Sequence, residues 1–565
     1  MSKIPTKLDL KAIKDKFIFV CVGGCDCIGT NFYLYQYNGH WIGIDFGLGF
    51  ADKLKTPGVE IMLPSLDFIR ANKIKLDGLI ITHAHEDHIG GVVQMYSQLN
   101  CPIYATTFGI NFLKVDALEM PVVPNLKFIE IKDGKRKFKI GDFELESINL
   151  THSTIEAQGI YIKTPKGSVF HTGDWRFDNT PPLGKPSDKK RLAEIVAKEP
   201  LSLLVCDSTN CQKNKQANSE ADLVESLTKI VEKRKNMVVV STFASNIYRI
   251  HTMYQVAQNT KRRLVLSGHS MGKIVEIARQ SGYLDDIDFL DAKDARKFPR
   301  NKLLVLSTGC QGEKNASMYK LAHGCHRFLQ LKAGDCVIFS SKVIPGNELD
   351  VQEIMNQLIL KQVEIVTEKD HLIHCSGHPY RPDLKEMYEL TKPACFMPMH
   401  GDWLMLTEHA KFANKCGLKN IIIPQNGTIV EINKTSIEEL GQFNSPALCL
   451  DGNRLLDENS KIFTDRRAIS NEGFVSCYVV IDKKGKFLAT PEIRSIGLFD
   501  FKNGNHIEIM KSIAHNAMAS IKPKMFGHRT VSKEDLEIKI KDSLTMEIHK
   551  QIGKLPVIDV VVSII

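Results

Sequence analysis

The segment Thr82–Gly91, which reads THAHEDHIGG, is the feature that most restricts how this chain can fold. It follows the apolar run Leu79–Ile81, which predicts a buried strand. The segment supplies three imidazoles and one carboxylate, from His83, His85, Asp87 and His88. Imidazole and carboxylate ligands suit Zn²⁺ or Mn²⁺, and these groups are too many for one tetrahedral ion. The spacing therefore indicates ligands shared between two ions. The alternative is a solvated polar loop after a buried strand, and the density of histidines argues against it.

Two ions need further ligands, and three more residues stand at predicted strand ends. His152 follows Ile148–Leu150, Asp174 follows Val169–His171, and His400 lies in the run 396–402 (FMPMHGD). Each residue alone is typical of an ordinary surface or core position. Together, in this order behind the histidine-rich segment, they predict one metal centre. Asp45 also ends a predicted strand, and we interpret it as a group that orients a ligand.

Composition limits the class of protein. The 565 residues predict about three to four domains, or one large discontinuous domain. Hydrophobic residues make up 43% and charged residues 25%, which is ordinary for a globular protein and excludes a disordered, collagen-like or rod-like chain. The net charge of +9 permits a polyanionic partner without requiring one. No apolar run suits a signal peptide or a membrane span, so we expect a cytoplasmic protein with no membrane partner.

The distribution of helical and β-type segments along the chain predicts its domain organisation. Short β-type runs fill the first two hundred residues. From about Ser219, helical stretches alternate with apolar strands such as Met237–Ser241 and Leu303–Leu306, a pattern typical of an α/β unit with a largely parallel sheet. Near His371 short β-type segments return, and Asp451–Ser460 (DGNRLLDENS) is interpreted as a polar linker. The basic residues around 522–529 could bind RNA or form a dimer interface, but such runs are usually solvated faces, so no site is assigned there.

The cysteines are not arranged as a disulfide scaffold. There are 14 of them, scattered and without a CxxC pair. Cys25 and Cys27 lie in a glycine-flanked loop and could form a soft metal or redox site, but buried or idle thiols are the more ordinary interpretation.

These motifs together resemble a known family. The HxHxDH segment followed by His, Asp and a final His is similar to the metallo-β-lactamase fold, and the wider set resembles the β-CASP nucleases and, within them, the bacterial ribonuclease J family. The segments that carry the resemblance are Gly23-Gly24, Thr82–Gly91, His171–Phe177 (HTGDWRF), Cys206–Asn210 (CDSTN), Thr242–Arg249 (TFASNIYR), Ser307–Glu313 (STGCQGE), Phe339–Glu348 (FSSKVIPGNE), His374–His378 (HCSGH) and His400-Gly401.

The resemblance implies a fold class. We expect an α/β protein: a metallo-β-lactamase αββα sandwich with an inserted β-CASP α/β domain and a small α+β C-terminal domain. The expected boundaries place the first part of the sandwich at 1–208, the inserted domain at 209–370, the closing part at 371–450, and a linker with the C-terminal domain at 451–565.

The resemblance also implies roles for the candidate residues. Two Zn²⁺ ions per subunit, or Mn²⁺ in their place, would be held by His83, His85 and His152 on one side and by Asp87, His88 and His400 on the other. Asp174 would bridge the two ions and take part in catalysis. A hydroxide would attack phosphorus, and His378 is the candidate acid for the leaving 3′-oxygen. Asp207 would orient either His378 or a metal ligand. A structural histidine in a Ser-Gly turn is the alternative for His378.

By the same resemblance the substrate is single-stranded RNA with a preferred 5′-monophosphate end. The residues expected to contact that phosphate are Phe243, Ala244, Ser245, Asn246, His374, Cys375, Ser376, Gly377 and His378. Plain turn chemistry explains these segments equally well. The expected activity is that of a 5′→3′ exoribonuclease with endonuclease activity, acting in maturation of RNA, including ribosomal RNA, and in messenger decay. The subunits are expected to form a homodimer or homotetramer.

Three departures from the family pattern affect substrate contacts rather than metal ligands. They fall at Cys25–Cys27, where a glutamate is more usual before Ile-Gly, at His269, where arginine is typical, and at Asp402-Trp403, where glutamate and a basic residue are common. Rival functions are a small-molecule hydrolase on the same fold, a non-catalytic RNA-binding subunit of a nuclease complex, and DNA processing. The long insertion and the seven intact candidate ligands favour a ribonuclease.

Overall fold

The computed structural model describes residues 9–132, 136–483, 486–500, 502, 504–520 and 532–565. The chain divides into two units. The larger holds residues 9–49 and Met62–Ala447, and the smaller holds Phe50–Ile61 and the residues from Leu448 onward. No helix in the described part of the chain is long and apolar enough to cross a membrane.

The strands of the described residues are β1 (Phe17–Gly23), β2 (Cys25–Asp26), β3 (Phe32–Tyr37), β4 (His40–Ile44), β5 (Gly49–Phe50), β6 (Ile61–Leu63), β7 (Gly78–Ile80), β8 (Ile103–Ala105), β9 (Phe128–Glu130), β10 (Lys137–Ile140), β11 (Phe143–Asn149), β12 (Gln158–Thr164), β13 (Gly167–His171), β14 (Leu203–Asp207), β15 (Val238–Ser241), β16 (Arg263–Ser267), β17 (Leu290–Asp291), β18 (Leu303–Ser307), β19 (Cys336–Phe339), β20 (Glu364–Val366), β21 (Cys395–Met399), β22 (Gly401–Asp402), β23 (Asn420–Ile421), β24 (Thr428–Ile432), β25 (Ile437–Gln442), β26 (Leu448–Asp451), β27 (Arg454–Asp457), β28 (Phe474–Ile481), β29 (Glu492–Ile496) and β30 (Val557–Ile564).

The α-helices of the same residues are α1 (Asp67–Ala71), α2 (Glu86–Ile89), α3 (Val92–Leu99), α4 (Thr107–Leu118), α5 (Lys189–Lys198), α6 (Asp222–Glu232), α7 (Ile247–Asn259), α8 (His269–Gln280), α9 (Ser317–Ala322), α10 (Glu348–Leu360), α11 (Arg381–Thr391), α12 (Trp403–Lys415), α13 (Lys461–Glu472), α14 (Gly504–Ser520) and α15 (Lys533–Ile552).

Two mixed sheets pack face to face in the larger unit. One has the order β25-β24-β1-β3-β4-β7-β8-β9 and the other the order β10-β11-β12-β13-β14-β21-β23. Their facing side chains, such as Phe19 and Tyr33 from the first sheet and Leu145 and Ile160 from the second, form one buried core. Outside the second sheet, α5, α11 and α12 cover a separate core around Trp175. This is the αββα sandwich predicted from the sequence.

The topology brings the candidate ligands to one edge of the sandwich. In the first sheet β4 and β7 are parallel, and Asp45 and Thr82 follow their carboxyl ends. In the second sheet β13, β14 and β21 are parallel, and Asp174, Asp207 and His400 lie at or just beyond their carboxyl ends. The carboxyl ends of parallel strands meet at one edge of a sheet, which is where ligands bind in α/β folds.

A third sheet lies in the inserted segment and is entirely parallel. Its order is β17-β16-β18-β15-β19-β20. The residues of the inner strands β15, β18 and β19 are buried, as expected for a sheet covered on both faces, and helices such as α7 and α10 contribute to its cores. The α/β unit predicted from residue 219 onward is confirmed.

The smaller unit is an α+β arrangement in which β29-β28-β30 form a sheet against α14 and α15. Leu536, Ile540 and Leu544 recur every four residues along α15 and pack into the core of that sheet. The predicted linker Asp451–Ser460 is wrong, because β26 and β27 pair there as a hairpin whose two-residue turn contains Gly452 at φ +61°. The basic residues at 522–529 lie outside the described residues.

Candidate metal centre

The histidine-rich loop begins where β7 leaves its sheet. The apolar run predicts a strand as far as Ile81, but β7 ends at Ile80, and the Thr82 backbone N–H donates to Asp45 Oδ1 (2.8 Å) instead of continuing the ladder. The Thr82 hydroxyl donates to Asp45 Oδ2 at 2.9 Å. Asp45 is fully buried and adopts a left-handed backbone conformation (φ +57°). It therefore anchors the start of the loop from behind.

A first group of side chains comprises His83, His85, His152 and Asp174, whose candidate ligand atoms all lie within 4.8 Å of one another. His152 Nε2 lies 3.0 Å from His85 Nδ1 and 3.8 Å from Asp174 Oδ2. His152 Nδ1 lies 2.7 Å from the Gly377 carbonyl. Because a carbonyl only accepts, Nδ1 carries the proton and the lone pair of Nε2 faces the group.

A second group comprises Asp87, His88, Asp174 and His400, again with candidate ligand atoms within 4.8 Å of one another. His400 Nε2 lies 3.0 Å from Asp87 Oδ2, and His88 Nε2 lies 3.3 Å from Asp174 Oδ1. The other ring nitrogens are also held. His88 Nδ1 lies 2.7 Å from Asp45 Oδ2, and His400 Nδ1 lies 2.8 Å from the Thr209 hydroxyl. Asp45 is therefore not one of the candidate ligands but contacts one of them, His88, from behind. Its predicted role in orienting a ligand stays a prediction.

Charge differs between the groups. Burial, reinforced by the neighbouring imidazoles, holds the pKa values of His83 and His152 well below the usual range, and burial lowers the pKa of His85 to about 4. Burial also opposes charging of His88 and His400, but the surrounding carboxylates outweigh it and raise both pKa values well above the ordinary one. The imidazoles of the first group are therefore neutral, whereas the second group contains imidazolium–carboxylate pairs.

Asp174 belongs to both groups, with Oδ2 toward His83 and His152 and Oδ1 toward His88 and His400. Its pKa is lowered, because His400 and His88 outweigh the effect of burial. The Nε2 atom of His83 is buried and has no hydrogen-bond partner among the described residues. A buried polar atom left unpaired is costly, and a cation would satisfy it. The donor set therefore fits divalent metal.

His378 and Asp207 form a pair beside the two groups. His378 Nδ1 lies 2.8 Å from Asp207 Oδ2 and 3.7 Å from Asp174 Oδ2. The His378 side chain is 21% exposed, whereas Asp207 is fully buried. Burial lowers the pKa of His378, but Asp207 and Asp174 more than offset it, and the net shift is upward. A partly exposed, protonated imidazole at the rim of a metal centre has the position that a proton donor needs.

The residues predicted to contact phosphate lie in two segments. Residues 243–246 follow β15, where Asn246 caps α7 by accepting from the Arg249 backbone N–H (2.9 Å). In the other segment, the Cys375 thiol donates to Glu220 Oε2 (2.8 Å), and Ser376 Oγ accepts from Asn210 Nδ2 (2.6 Å). Burial lowers the pKa of His374 to about 3. The phosphate contact itself stays a prediction.

Sequence reasoning missed a cavity of about 340 Å³ beside the 374–376 segment. Its lining includes Asn210, Lys213, Lys342, Ser376 and Tyr380. Lys213 stands outside every quoted motif, whereas Lys342 lies within the quoted Phe339–Glu348 segment, and the sequence did not show that the two lysines share a cavity. Thr209, which holds His400, was missed too, although it lies within the quoted CDSTN segment.

Comparison with known proteins agrees with this fold and site. Family models match residues 25–208 (Metallo-beta-lactamase superfamily), 235–358 (Ribonuclease J, beta-CASP domain), 362–424 (Zn-dependent metallo-hydrolase RNA specificity domain) and 461–565 (Ribonuclease J C-terminal domain). A solved protein of unknown function from Enterococcus faecalis has a similar fold, with a TM-score of 0.53 and 16% identity over 74% of this chain and 100% of its own.

Relatives by sequence are more specific. Ribonuclease J of Sinorhizobium meliloti is 32% identical over 97% of both chains. Ribonuclease J of Helicobacter pylori strain J99 is 33% identical over 86% of this chain and 71% of its own, and that of Mycoplasma pneumoniae is 29% identical over 100% and 98%.

The sandwich, the inserted parallel sheet and the histidine–aspartate cluster define a metal-dependent nuclease of the metallo-β-lactamase superfamily with a β-CASP domain. The match to the Sinorhizobium enzyme extends over almost the whole length of both proteins. The chain belongs to the ribonuclease J family and is a metal-dependent ribonuclease that binds RNA.

Proposed function

We propose that the protein is a two-zinc 5′→3′ exoribonuclease with additional endonuclease activity, and that Mn²⁺ can replace Zn²⁺. The observation that carries the proposal is that Asp174 contributes to both ligand groups. His83, His85 and His152 would hold one ion, Asp87, His88 and His400 the other, and Asp174 both. Imidazole and carboxylate donors suit either metal.

Two bound cations would lower the pKa of a water molecule so that it serves as the nucleophile, and would neutralise the phosphoryl oxygens. The chain's own residues complete the reaction. Attack forms a new P–O bond and breaks the P–O3′ bond, and the departing 3′-oxygen takes the imidazolium proton of His378. Asp207, 2.8 Å from His378 Nδ1, keeps the imidazole oriented and favours its protonated form. The products are a 5′-phosphate and a 3′-hydroxyl.

The preferred end of the substrate is a 5′-monophosphate in this proposal. It would contact residues 243–246 on one side and residues 374–378 on the other. The adjacent cavity supports the proposal, because Lys213 and Lys342 in its lining would attract a phosphate.

The rival functions are weaker. A small-molecule hydrolase would not need the inserted domain or the RNA specificity domain that the chain matches. A non-catalytic subunit would be expected to show degraded ligands, whereas all seven candidate ligand side chains gather here.

The decisive experiment offers purified protein RNA with a 5′-monophosphate, 5′-triphosphate or 5′-hydroxyl end, in Zn²⁺ and in Mn²⁺. Release of mononucleotides that favours the monophosphate end supports the proposal. His85→Ala and His378→Ala serve as controls, and activity that survives His85→Ala would contradict the metal assignment.

Two further predictions stay proposals. Domain boundaries near residues 208, 370 and 450 are supported by the matched ranges 25–208, 235–358, 362–424 and 461–565. A homodimer or homotetramer formed through the smaller unit is supported by its exposed apolar side chains, which include Tyr478, Ile496 and Met546. Light scattering of the protein in solution would measure the assembly.

A further inference from the structure

The loop that carries His378 is held at the Gly377 carbonyl by His152 of the metal centre and elsewhere by groups outside that centre. It lies between β20 and α11, and its residues 371–379 belong to no strand or helix. Its backbone carbonyls therefore receive no ladder or helical hydrogen bonds and need other donors. Two buried arginines supply some of them, one from the inserted domain and one from the segment that follows Asp174, and the Ser340 hydroxyl also donates to the Ile373 carbonyl at 2.6 Å.

Arg249, on the first turn of α7, is fully buried. Its Nη1 donates to the Ile373 carbonyl in the loop (3.2 Å) and to the Ser340 carbonyl at the end of β19 (2.7 Å). Its Nε and Nη2 donate to the two carboxylate oxygens of Glu220, at 2.5 and 3.1 Å. This bidentate pair fixes the plane of the guanidinium, so the donor that faces the loop has one defined position.

Arg176 holds the same loop from the other direction. It lies two residues after Asp174 and is 2% exposed. Its Nη1 donates to the carbonyls of Ser376 (3.1 Å) and Asn218 (2.8 Å), and its Nη2 pairs with Asp178. A change in Arg176 would therefore shift the backbone at Ser376 and Gly377, the two residues that directly precede His378.

The two ion pairs meet at Cys375. The Cys375 thiol donates to Glu220 Oε2 at 2.8 Å and stays neutral, because burial and Glu220 raise its pKa to about 12. The network then contains two guanidinium and two carboxylate groups and balances in charge, as buried charges require. It lies beside the His378 loop and makes no contact with the candidate metal ligands that the described residues show.

We propose that Arg249 and Arg176 are positioning residues that place His378 for proton transfer to the leaving 3′-oxygen. The proposal rests on the proposed function, since it assumes that His378 is the acid. Arg249 acts through the carbonyl of Ile373 and Arg176 through the carbonyl of Ser376, while Asp207 orients the ring itself. A displacement of about 1 Å in such a group can lower the rate by about 100-fold.

The test compares two RNA substrates that differ in one atom. In one the bridging 3′ atom at the scissile bond is oxygen, and in the other it is sulfur. An alkoxide needs a proton to leave, whereas a thiolate leaves without one because thiols are far more acidic than alcohols. A variant with a misplaced acid is therefore slow on the oxygen substrate and nearly normal on the sulfur substrate, whereas a partly unfolded variant is slow on both.

The variant is Arg249→Met combined with Glu220→Gln, so that no carboxylate is left buried without a partner. We expect kcat on the oxygen substrate to fall by about 10- to 100-fold with little change in KM, and kcat on the sulfur substrate to stay near that of the unchanged protein. Metal content should not change. Arg249→Lys keeps the charge without the bidentate geometry, so it should show a smaller effect of the same kind, and it decides the question if the double variant does not fold.

Arg262→Met is the matched control. Arg262 is also buried in the inserted domain and donates to backbone carbonyls, including those of Asn236 and Leu303, but to none in the His378 loop. Its loss should alter both substrates equally. Equal losses on both substrates in the Arg249 variants, or a loss confined to KM, would overturn the proposal. If His378→Ala itself slows both substrates equally, the assignment of His378 as the acid has failed, which is a separate result.

Discussion

The two halves of the metal centre share Asp174 but differ in how their imidazoles are prepared for a cation. In the first, His83 and His152 are buried, His85 is partly buried, and the pKa values of all three are lowered. In the second, His88 and His400 lie against carboxylates and their pKa values are raised. The histidines of the first half can therefore bind a cation without releasing protons. The second half offers more negative charge, but its histidines must lose their protons before they bind a cation.

This difference shows that the types of ligand alone do not determine the protonation of the histidines in such a centre. The second half differs because groups behind its ligands hold them: Asp45 contacts His88, and Thr209 contacts His400. In the first half the corresponding supports are the Gly377 carbonyl behind His152 and the Thr82 hydroxyl behind His83, both neutral. All of these partners fix the tautomer of a histidine ligand, and a carboxylate adds a negative charge that favours the protonated ring.

The largest effect is expected at the residue that the two halves share. Asp174→Asn removes the one carboxylate charge that both groups share, so we expect activity on RNA to fall by more than about 10⁴-fold, a large part of an acceleration that is about 10⁶-fold or greater in enzymes. Metal analysis of the purified variant should find both sites depleted. Full occupancy of either site would show that the halves do not share this ligand.

Single-site changes should separate the halves. His85→Ala removes an imidazole from the first group and His88→Ala one from the second. Each should lose one cation of two, with activity falling by more than about 100-fold, because even partners outside the ligand set change metal affinity by about 10- to 100-fold. Elemental analysis measures the stoichiometry. Loss of both cations in either variant would mean that the halves fill only together.

Acid should empty the second half before the first. Since the pKa values of His88 and His400 are raised, these imidazoles are protonated at neutral pH without a cation, and a cation must displace their protons. Lowering the pH below those raised values therefore weakens binding by about tenfold per pH unit for each displaced proton. In the first half, protons begin to compete for His85 only near pH 4. Dialysis at stepwise lower pH, followed by metal analysis, should show two separate losses, and a single loss would contradict the difference.

The smallest change is expected at Thr209. Thr209→Val removes the hydroxyl that lies 2.8 Å from His400 Nδ1 and keeps the shape of the side chain. We expect about a tenfold weaker affinity for the second cation and no change for the first. Competition with a chelator measures the two affinities. Thr180→Val, whose hydroxyl contacts Ser219, offers a control outside the centre.

Much of the site could be predicted because its residue types are rare and their spacing is specific. The cluster at Thr82–Gly91 predicted a metal centre, and the structure brings His152, Asp174 and His400 to it. The arginines could not be predicted as a network. Arg176 and Arg249 lie within recognised segments, but only folding shows that both are buried and point at the same loop. Lys213 belongs to no motif and Lys342 to a recognised one, but only folding brings both to one cavity.

The same division holds for the fold. Periodicity predicted the parallel unit from residue 219 and the strands of the sandwich, since buried parallel strands are continuous apolar runs. The predicted linker at Asp451–Ser460 was wrong, because β26 and β27 pair there across a two-residue turn and form a hairpin. Turn geometry depends on the backbone angles at Gly452, which composition does not express.

By itself, the sequence determined which chemistry the protein can perform, because imidazole and carboxylate groups at this spacing have few other uses. Tertiary structure decided which half of the centre holds charge, what supports each ligand and how the loop of His378 is held. Those properties depend on burial and on distances of a few ångströms between residues far apart in the chain, and electrostatic interactions in a protein interior are strong only at such short distances.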